Sequence, residues 1–87
     1  MKEQKIYTII QYRRGRKNEI SNTLEEFIKY FSYTLEKGKS WQHEKGNKKI
    51  NMQPKTIKSL VLNINNAENN AAANGHSDTW YELKDFI

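Results

Sequence analysis

The chain has 87 residues, no cysteine, 36% hydrophobic residues and a formal net charge of +5. That length allows one domain, 1–87, with a small core that buries roughly 60–65% of the unfolded surface; the missing thiols exclude disulfides and any Cys-based zinc site. The basic balance excludes DNA mimicry, which needs carboxylates, and favours a polyanionic or acidic protein partner.

Lys5 to Arg13 alternates weakly, with Ile6, Thr8, Ile10 and Tyr12 set against Tyr7, Ile9 and Gln11. β-branched and aromatic residues run throughout, which predicts a strand buried on both faces near its middle. The run is too short and too interrupted for a membrane span or a signal-peptide core, so the expected setting is soluble and cytoplasmic. Arg14-Gly15-Arg16 predicts a turn, and Asn18 to Ser21 a short returning strand.

Thr23 and Glu26 fit a capping box: the hydroxyl accepts from the third residue's N–H while the carboxylate reaches back. Leu24, Phe27, Ile28, Phe31 and Leu35 follow at helical spacing, and Gly38 supplies a stop. Glu25 and Glu26 sit where the helix dipole favours negative charge, so they need no acid–base role.

From Lys39 the period shortens. Lys39 to Lys45 and Lys48 to Met52 flank Gly46-Asn47, a favourable hairpin loop. Pro54 then opens, and Gly75 closes, a second helix running to Asn74. Ile57, Leu60, Val61, Ile64, Ala67 and Ala71 make its apolar face. Asn63, Asn66, Asn70 and Asn74 form a stripe beside that face. Asn is a poor helix former, so such a stripe suits recognition by amides that both donate and accept; an Asn-rich coding bias accounts for it equally. Thr79 to Phe86 predicts a last strand, with Tyr81 and Leu83 on one face and Trp80 and Phe86 on the other.

These elements predict an α+β fold of two amphipathic helices packed on a four- to five-stranded, mostly antiparallel sheet, in βαββαβ-like order. That order invites comparison with the RNA-recognition motif family, which stacks bases on aromatics of its first and third strands. Here the first strand offers Tyr7 or Tyr12, but the third, Lys48 to Met52, offers none.

Charge gathers in two blocks. Residues 1–18 carry six basic and one acidic side chain, residues 37–58 seven and one, and residues 19–36 and 59–87 a net −3 each. Arg13, Arg14, Arg16 and Lys17 place four cations in five residues and include every arginine of the chain. Guanidinium groups suit bidentate contact with phosphate or carboxylate. Lys45, Lys48 and Lys49 extend the candidate basic patch from the second block; a solvated surface explains the same residues. Trp41, His43 and Lys45 share one predicted strand face, where Trp41 either stacks on a base or closes the core edge.

Nothing calls for catalysis, a metal or another cofactor. His43 and His76 are the only histidines; His76-Ser77-Asp78 has the residue types of a hydrolytic triad, but loop chemistry after a helix stop explains them more simply. The four glycines are dispersed and form no phosphate-cradling loop.

The stretch Tyr33-Thr34-Leu35-Glu36 through Lys58-Ser59-Leu60, followed by Asn74-Gly75 and Trp80-Tyr81-Glu82-Leu83, resembles small accessory proteins of phages and mobile elements, anti-CRISPR inhibitors among them. The resemblance implies a non-enzymatic inhibitor that binds one large host effector, a protein or ribonucleoprotein, in a host cytoplasm; it assigns no residue. With this charge, the expected target is an RNA-guided nuclease, reached through its guide RNA or through an acidic protein face. An autonomous domain for RNA or single strands is the alternative, and self-association through Leu62 and Trp80 a third.

Overall fold

The computed structural model describes residues 5–43, 47–72 and 77–84. In chain order these form β1 (Tyr7–Arg13), β2 (Arg16–Asn22), α1 (Leu24–Tyr30), α2 (Ser32–Ser40), α3 (Ile57–Ala71) and β3 (Thr79–Lys84). The fold is α+β. Among the described residues it has three helices and one antiparallel sheet of three strands, ordered β2-β1-β3.

β1 is central because its apolar run can be covered from both sides. It meets β2 through a two-residue loop with Arg13 opposite Arg16. Arg14 and Gly15 both have positive φ, 49° and 80°. That is the signature of a primed turn, whose twist matches the strands. Glycine adopts this geometry freely; Arg14 bears the strain. The returning strand, Arg16–Asn22, is longer than the sequence predicts because the tight turn lets pairing begin at once.

Ile9 of β1 is opposite Ile20 and Leu83, and Gln11 is opposite Tyr81. This face meets the helices. Ile9, Phe27, Phe31, Leu35, Ile50, Ile57, Leu60, Ile64, Ala67 and Tyr81 make one buried cluster. Thr23 caps α1 as expected, its hydroxyl accepting from Glu26 N–H at 3.2 Å. The single predicted helix is two: the backbone at Phe31 opens to φ −97°, ψ 12°, which turns α2 toward α3.

Gly38 does not stop that helix. It is buried within α2, and a Cβ there would overlap Ala67 Cα and Cβ. Glycine serves the close approach of two helices. α3 begins with Thr56 as its N-cap, accepting from Ser59 N–H at 3.0 Å, rather than at Pro54.

The predicted hairpin is absent. Lys39 and Ser40 belong to α2, Trp41 to His43 form a turn, and Asn47 to Asn51 run without strand pairing. Residues 44–46, which include Lys45 and the expected loop glycine, lie outside the described residues, as do Asn74, Gly75, His76 and Phe86. This removes two strands and the βαββαβ order. No described helix is long and apolar enough to cross a membrane.

Candidate binding surface

The extended segment after residue 46 has no sheet to join, yet its backbone groups need partners. Amide side chains supply them. Asn70 Oδ1 accepts from Lys48 N–H at 2.9 Å, and its Nδ2 donates to Lys48 C=O at 2.7 Å and Gly38 C=O at 3.1 Å. Gln42 Oε1 accepts from Ile50 N–H, and Asn63 Oδ1 from Asn51 N–H. On the other flank of α3, Asn65 accepts from Tyr81 N–H at 2.7 Å and donates to Tyr81 C=O at 2.9 Å. Asn65 thus stands where a neighbouring strand would pair with β3. Asn69 Oδ1 accepts from Ser77 N–H at 3.3 Å.

Two members of the Asn stripe, Asn63 and Asn70, therefore face inward. Asn63 and Asn70 are each 7% exposed, and both amides are engaged within the fold rather than offered to a partner. Asn66 is half-buried on the outer side of α3 near exposed Leu62. Asn65 and Asn69 escaped the sequence reading because they sit one stripe away, on the opposite flank of the apolar face. Their i, i+4 spacing was the available signal.

Arg13, Arg14, Arg16 and Lys17 are all exposed at the β1–β2 turn. Among the described residues none of them forms an ion pair. Arg14 N–H donates to Asp78 C=O at 3.3 Å, which ties the turn to the chain entering β3. Asp78 follows Ser77, held by Asn69 near the end of α3. Lys48 is held by Asn70 on the opposite flank of the same helical turn. Lys48 and the arginine turn are thus tied, directly and through Ser77 and Asp78, to adjacent residues near the end of α3. Helix α3 has no basic residue in its last turn, so the negative end of its dipole is left to be complemented by cations from other segments.

Lys49 is exposed and, with Lys39, Ile50, Asn51, Met52, Gln53 and Asn63, lines an open groove of about 620 Å³. Trp41 is 45% exposed and His43 is exposed, in the turn after α2. They do not share a strand face, because no strand forms there.

The sheet face away from the helices carries three cross-strand rows. Thr8 lies between Ser21 and Lys84, Ile10 between Glu19 and Glu82, and Tyr12 between Lys17 and Trp80. No described helix packs on it. Lys84 crosses β1 to Glu19 at 3.0 Å, and Ile10 between the two outer strands is only 9% exposed. Tyr12 and Trp80 stack with ring centroids 5.0 Å apart and planes 14° apart. Desolvation first, and then the Glu82 carboxylate, hold the Tyr12 phenol above its usual value. Sequence reading missed the Tyr12–Trp80 pair because register across 68 residues is invisible in the chain.

Beneath the sheet, Lys37 Nζ pairs with Glu68 at 3.1 Å, and Tyr81 Oη donates to the same carboxylate at 3.0 Å. Every described buried side-chain polar atom has a partner. Among the described residues no three of His, Cys, Asp and Glu gather as metal ligands. Comparison with protein-family models, with curated proteins and with solved structures found no match to this chain.

Proposed function

We propose that this protein acts by binding, without chemistry, and that its basic end engages a polyanionic partner; the partner we favour is a host defence ribonucleoprotein, an RNA-guided nuclease, which the protein blocks as a phage-type inhibitor. The observation that carries the reading is the arginine turn, where Arg13, Arg14, Arg16 and Lys17 are all exposed and, among the described residues, none forms an ion pair. Exposed cations clustered on a tight turn raise the encounter rate with a polyanion, and guanidinium groups add bidentate phosphate contacts. The described polar groups beneath that end satisfy one another, which suits a scaffold for an interface.

Association kinetics test this. The purified protein and an Arg13→Ala/Arg14→Ala/Arg16→Ala variant are passed over guide-loaded RNA-guided nucleases and over the same nucleases without guide. The expected result is binding to a guide-loaded complex, with the variant slowed in association more than hastened in dissociation. Absence of binding to every such complex, with target cleavage undiminished, would refute the inhibitor reading.

A further inference from the structure

Trp80 is a large aromatic with no core to fill. It is 45% exposed on the open sheet face, and Tyr12 covers one side of its ring. Its surroundings do not make an apolar protein-docking patch: Lys17, Glu19, Ser21, Glu82, Thr8 and Lys84 share the face, and Ile10 is nearly covered. What remains available is a π surface, already held in place by its stacked neighbour. Lys17 is directly opposite Tyr12, and Arg14 occupies the adjoining turn.

From this arrangement we infer that the hairpin end of the open sheet face is a stacking site for an unpaired base of a single-stranded nucleic acid, with Trp80 extending the Tyr12–Trp80 stack onto the base and Lys17 and Arg14 meeting the adjacent phosphates. The inference rests on the polyanion reading above and specifies its ligand. A base adds to the outer side of Trp80, and the pre-stacked pair loses little rotamer freedom when it does so. The row from Lys17 across β1 to Trp80 spans two strand spacings, about 10 Å, enough for one or two nucleotides. Glu19 and Glu82 bound the site on the side away from the turn. Their charge steers the phosphate chain across the hairpin end instead of down the strands. A duplex, with its bases already stacked and paired, offers no free face for Trp80 along its length.

Trp41 and Trp80 are the only tryptophans, so a Trp41→Phe background makes Trp80 the sole indole reporter. The probes are a short oligouridylate, an RNA duplex of equal length, and heparin as a polyanion without bases. The expected result is quenching of Trp80 by oligouridylate, with neither heparin nor the duplex quenching it. Trp80→Ala should weaken oligouridylate binding about tenfold while leaving heparin binding unchanged, and Trp80→Phe should recover most of the loss. The quenching measurement requires no change at Trp80, so a fold defect in the alanine variant cannot mask the answer. If heparin binds and oligouridylate binds no tighter, with Trp80 unquenched, the stacking site is overturned and the polyanion reading stands. If neither binds, both are overturned. Equal binding of single strand and duplex without quenching also overturns the stacking site.

Discussion

Asn70 shows how much structure one amide can hold. Its carbonyl and amino groups bind the backbone of Lys48 and the Gly38 carbonyl, linking α3, α2 and an unpaired extended segment. Asn70→Ala should cost about 1–3 kcal/mol for each buried backbone group left without a partner, measured by urea unfolding. Asn66→Ala on the outer side of α3 should change stability by less than about 0.5 kcal/mol. The sequence announced the stripe but not its direction, since an amide that completes a backbone reads the same as one that recognises a ligand. Tyr81 supplies a second test. Burial, and after it the Glu68 carboxylate, raises its phenol above the usual value near 10. The fold therefore favours the protonated form. That contribution is whole below the unfolded pKa near 10 and is lost as pH rises above it. Stability followed from neutral to strongly alkaline pH should fall more steeply in the native protein than in Tyr81→Phe.

At the scale of elements, legibility followed the strength of local signals. β1, the capped start of α1, the apolar face of α3 and the alternation of Trp80 and Tyr81 in β3 were legible because each rests on a period or a cap. The predicted hairpin failed because Lys39 to Met52 has no such signal; a polar run with Gly46-Asn47 satisfies hairpin chemistry, whereas the partners of its backbone are side chains far along the chain. Gly38 misled for a related reason. A glycine after an apolar period reads as a helix end, but here it marks the crossing of α2 over Ala67. Gly38→Ala gains up to about 1 kcal/mol in helix propensity, yet forcing the helices apart costs about 1–3 kcal/mol. Thermal unfolding should therefore show net destabilisation, relieved in part by adding Ala67→Gly.

For the whole molecule, the two basic blocks were plain in the sequence, but the tie of Lys48 and of the arginine turn to adjacent residues of α3 was not. It depends on Asn69 and Asn70 fixing two distant segments on opposite flanks of α3. The Tyr12–Trp80 row is likewise a product of register, created when β3 pairs with β1. A sheet with one face on the core and one face open, bounded by an arginine turn, concentrates both charge and aromatic surface at the hairpin end. That localisation is the central claim, and backbone and indole N–H chemical shifts of the labelled protein, titrated with a short oligouridylate, test it most directly. The account predicts salt-sensitive shifts confined to Tyr12 through Lys17 and to Trp80. Shifts centred on Lys39, Lys48 and Lys49, or no shifts at all, would contradict it.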